Sequence, residues 1–201
     1  MKNNLLIVCL LAVLISSCSD DTSCTDGIQN GDETGVDCGG ALCEPCFGVG
    51  LLGEAGGVIF FDKGVFSDGW RYLEAANEDV VSCNIGPERQ NSDLLTRRGI
   101  GFGQMNSDIL FDEVGWNSEV RDYTVNGFSD WFIPSEDELS QLRDQRDLIP
   151  NLELGGECGC YFASSLLLSS VNNFGPRVLC FDSNEWVFTN PGQQIRPIRQ
   201  F

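Results

Sequence analysis

The chain contains no histidine, and it carries 12 basic against 30 acidic residues in a length of 201. The first absence removes Ser-His-Asp and Cys-His mechanisms and the usual histidine-based zinc and iron sites. Paired-carboxylate chemistry survives that exclusion, but the acids show no spacing that singles out a pair. A non-catalytic role is therefore expected. The shortage of basic residues leaves a formal net charge of −18, which repels nucleic acid, phosphates and sulfated polysaccharides at long range. No nucleic-acid partner is expected. Long apolar runs are missing too. Leu5–Ile15 is eleven residues, about 16 Å as a helix, too short for a hydrocarbon core of ~30 Å. Acidic composition often goes with disorder, but 42% hydrophobic and 10% aromatic residues predict a folded core.

What is present begins at the N-terminus. Lys2, the apolar run and then Leu14-Ile15-Ser16-Ser17-Cys18 have the order of an export signal ending in a lipidated cysteine. The segment resembles a bacterial lipobox, which makes 1–17 a lipoprotein signal peptide and Cys18 the lipidation site. An ordinary cleaved signal is the alternative. A single acyl chain anchors only marginally, and lipoproteins of this kind carry two or three. Residues 18–23 form a lipidated linker. Its Ser19-Asp20-Asp21 resembles the acidic export tag of some Gram-negative lipoproteins, or is simply a solvated linker. The expected location is the outer membrane, lipid-anchored, with the surface and periplasmic faces both open to the domain. Residues 1–17 hold one charged side chain, so their removal moves the net charge to −19.

Ten cysteines become eight once Cys9 leaves with the signal and Cys18 takes lipid. They fall into two groups: Cys24, Cys38, Cys43 and Cys46, then Cys83, Cys158, Cys160 and Cys180. Even groups in an exported chain predict disulfides within each group. In the first, nested or interlaced pairing is expected over a tiny Cys43–Cys46 ring. In the second, Cys158-Gly159-Cys160 is too close to pair with itself, so each reaches Cys83 or Cys180.

Residues 24–46 are too short to bury a core and need staples; Ile28 and Val36 are the main apolar side chains there. Asn30-Gly31 and Gly39-Gly40 mark tight turns. Asp26, Asn30, Asp32 and Asp37 offer oxygen ligands for calcium, although the spacing is not that of an EF-hand. The competing account is Asx-turns plus disulfides. The stretch is similar to a short Asp-Gly-Ile-x-Asn-Gly-x-Glu-Thr module found near the N-termini of secreted and surface bacterial proteins.

Residues 47–201 suffice for one domain. Val58–Phe61 reads as a buried strand, and Asp68-Gly69 turns into a partner at Trp70–Glu74. Residues 84–105 read as a long loop, and Asn106 as the cap of a short helix bearing Ile109, Leu110 and Phe111. Ser135 and Glu138 have capping-box spacing for a helix that puts Leu139 and Leu142 in the core and stops before Pro150. Strands are expected at Tyr161–Ser165, Arg177–Phe181, Glu185–Phe188 and Ile195–Arg199. A helix-bearing middle and a strand-rich end predict α+β.

The run Gly127-Phe-Ser-Asp-Trp-Phe-Ile-Pro-Ser-x-x-Glu-Leu139 closely resembles the signature of the Lcl C-terminal domain family, named after a collagen-like bacterial adhesin. Gly56-Gly-Val-Ile-Phe-Phe61, Gly69-Trp-Arg-Tyr-Leu-Glu-Ala-Ala76, Tyr161-Phe-Ala-Ser-Ser165 and Arg196-Pro-Ile-Arg-Gln-Phe201 are also similar to it. The resemblance spans nearly all of 50–201. It implies a C-type-lectin-like α+β fold and, through the adhesin, a role in binding glycans or host surfaces. The Glu-Pro-Asn and Trp-Asn-Asp pairs by which C-type lectins hold calcium-bound sugar are missing. The adhesin points to sulfated polysaccharides, which the negative charge opposes.

Trp70, Trp131 and Phe132 are expected to fill the core, Asp130 and Ser129 to satisfy backbone amides, and Arg196 and Arg199 to pair with buried acids. For ligand, the loops at 166–176 and 182–194 are the candidates: Trp186 offers a stacking face among Asp182, Asn184, Glu185 and Asn190. The leading expectation is a lipid-anchored envelope protein binding carbohydrate or another surface ligand. Docking to another envelope protein is the first alternative. A formylglycine-generating-like oxidase is the second, and the even cysteine count leaves it no spare thiol.

Overall fold

A computed structural model describes residues 24–81, 89–90, 96–113, 115, 119–154, 159–170, 173–188 and 194–201. Cys18, Cys83, Cys158 and Asn190 lie outside the described residues. The chain divides at Cys46/Phe47 into two compact units.

In the smaller unit the staples are Cys24–Cys43 and Cys38–Cys46, an interlaced pair. Ile28 and Val36 are both exposed, so apolar burial does little here. The disulfide closing the 19-residue separation is worth about 3 kcal/mol through the unfolded state. The Asn30-Gly31 turn closes with the Glu33 amide donating to the Asn30 carbonyl at 3.1 Å.

The larger unit is α+β. Strands β1 (Val58–Ser67) and β2 (Trp70–Ala75) form a hairpin. Asp68 and Gly69 at its tip both take positive φ, 52° and 84°, as a two-residue turn matched to strand twist requires. Short β3 (Val80–Val81) and β4 (Arg89–Gln90) follow, then helices α1 (Gly103–Asp112) and α2 (Glu136–Asp144). Strands β5 (Cys160–Ser170), β6 (Asn173–Cys180), β7 (Glu185–Phe188), β8 (Gln194–Ile195) and β9 (Ile198–Gln200) complete the fold. One sheet runs β1-β2-β9. The other runs β3-β8-β5-β6-β4, with β7 also on β6. Cys160 and Cys180 face each other across β5 and β6 and are disulfide-bonded.

Helix α2 forms where its sequence directs. The Ser135 hydroxyl accepts from the Glu138 amide while the Glu138 carboxylate accepts from the Ser135 amide, a complete capping box. Leu139 and Leu142 are fully buried with Phe60, Trp70, Phe132 and Tyr161, each contributing about 1.5–3 kcal/mol. Leu110 of α1 packs into a second cluster with Val120, Ile133 and Phe162. The segment between the helices laces the sheets together. Phe132 and Ile198 exchange backbone hydrogen bonds at 2.9 and 3.0 Å, and the Pro134 carbonyl accepts from the Ser164 amide at 2.8 Å.

Two local expectations change. Asn106 does not cap α1, which starts three residues earlier at Gly103. Its buried amide instead binds both backbone groups of Arg97 and the Ser164 hydroxyl. The expected strand Ile195–Arg199 is split into β8 and β9, because Arg196 turns into a buried network and Pro197 has no N–H to give a ladder.

Candidate functional site

The C-terminal strand segment supplies two arginine hubs, and the first, Arg199, holds the run 127–139 at Asp130. The Arg199 Nε donates to Asp130 at 2.7 Å, and its Nη1 reaches Glu74 at 3.0 Å and Glu54 at 3.2 Å. Its guanidinium lies 4.2 Å over the Phe128 ring. Burial disfavours the charge on Arg199, but the Asp130 and Glu74 carboxylates outweigh it and raise the pKa. Glu74, fully buried, also accepts from the amides of Ala55 and Gly57 at 3.2 and 3.0 Å. Glycine is needed at 57, since a Cβ there would stand 2.4 Å from the Ala75 carbonyl oxygen.

The second hub is Arg196, fully buried. It binds Asp79 and the carbonyls of Ala76, Pro150 and Asn151. Asp79 in turn accepts from the Tyr161 hydroxyl at 2.8 Å, and that hydroxyl accepts from the Glu153 amide at 2.7 Å. Burial, then the Asp79 carboxylate, pushes the Tyr161 pKa up. Glu136, also buried, is held by Arg98 and Arg177. Glu138 accepts the Gly101 amide besides its capping contacts. Burial pushes its carboxyl pKa up against the pull of these backbone donors.

Trp131 is the common wall of two clefts. Val125 and Phe128 pair as a bridge around the Asn126-Gly127 turn, and the indole N–H donates to the Phe128 carbonyl at 3.2 Å. On one side a cleft of about 170 Å³ is bordered by Gln104, Asp108, Asp112, Arg121 and Asp130. Its carboxylates are answered by protein: Gln104 donates to Asp108 at 3.3 Å, Arg121 to Asp112 at 3.0 Å, and Arg199 to Asp130. On the other side a cleft of about 280 Å³ is bordered by Gly57, Asn77, Glu78, Tyr123 and Val125. The Tyr123 ring stands edge-on to Trp131, centroids 5.5 Å apart. The Asn77 Nδ2 donates to the Gly56 carbonyl at 2.9 Å, which fixes the amide.

Of the residues expected to bind ligand, the described ones lie on β7 and in the turn before it. Trp186, on β7, packs half-buried against the core, with the Arg177 guanidinium 5.0 Å over its ring. Asp182 and Asn184 belong to the tight turn between β6 and β7. Asn184 supplies positive φ, 58°, and Asp182 accepts from the Ser183 amide at 2.7 Å. Glu185 is exposed and pairs in register with Cys180.

Of the calcium candidates, Asp26, Asp32 and Asp37 point carboxylate oxygens at backbone amides, whereas the buried Asn30 Oδ1 accepts no hydrogen bond among the described residues. Asp37 accepts from Asp26 and Gly27, Asp26 from Ile28, and Asp32 from Ala41. Asn30 donates its side-chain amide to Asp26 at 2.9 Å. The Asp26–Ile28 contact is an Asx-turn, and the other carboxylate contacts to backbone amides tie together backbone 9 to 11 residues apart. Among the described residues the one grouping with metal-ligand spacing is Cys24, Glu33 and Cys43, and its two sulfurs are joined to each other.

Sequence reasoning missed Asn77, Glu78 and Tyr123. They come from two segments without motif or periodicity, and only the fold brings them to Trp131. Among the described residues no helix is long and apolar enough to cross a membrane. No protein-family model, no curated protein and no solved structure matches the chain.

Proposed function

We propose that this chain is a lipid-anchored envelope lipoprotein of the outer membrane, held through Cys18, whose 47–201 domain is C-type-lectin-like and akin to the Lcl C-terminal domain family. The domain binds carbohydrate or another surface ligand and performs no chemistry on it. The observation that carries this reading is the cleft beside Trp131, where two aromatic rings meet exposed planar polar groups on a frame locked by buried ion pairs. Carbohydrate sites combine a ring face for stacking with a few fixed donors and acceptors. The buried ionic groups nearby serve the frame: Glu74, Glu136, Arg196 and Arg199 are each engaged by protein partners.

A second reading, docking to another envelope protein, draws on the β1–β2 hairpin tip. Val65 and Phe66 there are 65% and 70% exposed, and exposed apolar groups mark protein contacts when they form patches. A glycan and polysaccharide array with the soluble oxidised chain 19–201, run with calcium and with chelator, separates the two. Saturable glycan binding is expected. A blank array together with a specific protein crosslink on whole cells would replace the carbohydrate reading by the docking one.

A further inference from the structure

The cleft bordered by Asn77, Glu78 and Tyr123 gathers polar groups that its own lining does not satisfy. By contrast Arg196, Arg199 and Glu136 are each engaged by an ion-pair partner. Here three groups find no protein partner. The Tyr123 hydroxyl, the Asn77 Oδ1 and the Glu78 carboxylate neither donate nor accept a hydrogen bond within the described residues, and Asn77 and Glu78 are exposed. Tyr123 is nonetheless fixed, packed between the Trp131 cluster and that of Ile133 and Phe162. Burial, then the Glu78 carboxylate, raises the Tyr123 pKa, in keeping with Glu78 and Tyr123 bordering one space.

The chemistry of the three groups defines what they would take. Glu78 and the Asn77 oxygen only accept hydrogen bonds, whereas the Tyr123 hydroxyl both donates and accepts. A ligand must therefore be rich in donors. The volume of about 280 Å³ lies just below the ~300 Å³ where pockets for drug-sized ligands begin, which suits one ring. Aromatic walls favour a ring with an apolar C–H face. Anionic sugars are opposed twice, by Glu78 in the cleft and by the net charge of −18.

We propose that this cleft is a calcium-independent subsite for one neutral pyranose ring of a glycan, with Tyr123 as the aromatic wall and Glu78 and Asn77 accepting from the sugar hydroxyls. The inference rests on the carbohydrate reading above and adds to it the place and the ligand class. The cleft across Trp131 is the internal contrast, since its carboxylates already have protein donors.

The test uses the full mature chain, purified oxidised in detergent, on immobilised neutral, uronate and sulfated polysaccharides. Neutral glycans are expected to bind equally with calcium and with chelator. Loss of a hydrogen bond to a charged group predicts about tenfold weaker binding for Glu78→Ala, and loss of a neutral one a few-fold weakening for Tyr123→Phe. Asp112→Ala, in the opposite cleft, should bind like the parent. Neutral binding untouched by Glu78→Ala and Tyr123→Phe would overturn the cleft and leave the carbohydrate reading standing. Binding confined to uronate or sulfated glycans, or abolished by chelator, would overturn the ligand class. A blank array from protein with native circular dichroism would overturn both.

Discussion

Arg199 and Tyr123 brace the two sides of one turn, and their surroundings could hardly differ more. Around Arg199, three carboxylates, an aromatic ring and the amides of Ala55 and Gly57 close every valence. Around Tyr123, a hydroxyl, an amide oxygen and a carboxylate border a space with no donor or acceptor for them among the described residues. A fold that satisfies polar groups so thoroughly in one place shows what satisfaction looks like. On the proposed reading stability belongs to the first region and recognition to the second, so substitutions should divide along that line.

The largest effect is expected at Arg199. Its replacement by alanine strands Glu74, a fully buried carboxylate, and breaking such a pair costs about 3–5 kcal/mol; denaturant unfolding reads it. A loss below about 1 kcal/mol would mean that Glu74 is served by its backbone donors alone. Next comes Glu138→Ala, which removes half the capping box and leaves the Gly101 amide without its acceptor. A loss of about 2 kcal/mol is expected in the same experiment.

Tyr161→Phe takes away one hydroxyl between Asp79 and the Glu153 amide and should cost about 1–2 kcal/mol at neutral pH. Its pH dependence has a definite sign. The pKa of Tyr161 is raised in the folded state, so its contribution is complete below the ordinary tyrosine value and is lost as pH rises through the folded one. The stability gap between parent and Tyr161→Phe should therefore narrow above about pH 10. A gap that widens would contradict the burial and the Asp79 contact. The smallest effect belongs to the cleft. Glu78→Gln, exposed and unpartnered, should change stability by no more than about 0.5 kcal/mol.

Much of the frame was legible because its signals are local. Asp68-Gly69 can do little but turn, Ser135 and Glu138 cap at fixed spacing, and Leu139 and Leu142 follow the helical period. Aromatic burial at Trp70, Trp131 and Phe132, and the pairing of Arg196 and Arg199 with Asp79 and Glu74, follow from size and from the cost of buried charge. What failed was non-local. Asn106 looked like a cap from its neighbours, yet Arg97 and Ser164 claim its amide from inside α1. Trp186, read as a stacking face, lies half-buried against the core with the Arg177 guanidinium over its ring, contacts that no local window of sequence displays. The cleft draws on residues around 57, 77–78, 123–125 and 131, and no window of sequence contains that set.

The most direct test is the double variant Tyr123→Phe/Glu78→Ala, compared with the parent for unfolding free energy and for retention on a neutral polysaccharide column. Both changes leave the Tyr123 ring against Trp131 in place. The predicted result is stability within about 0.5 kcal/mol of the parent with retention lost. Retention preserved at equal stability, or stability lost by more than about 2 kcal/mol, would contradict the division between a satisfied frame and an open cleft.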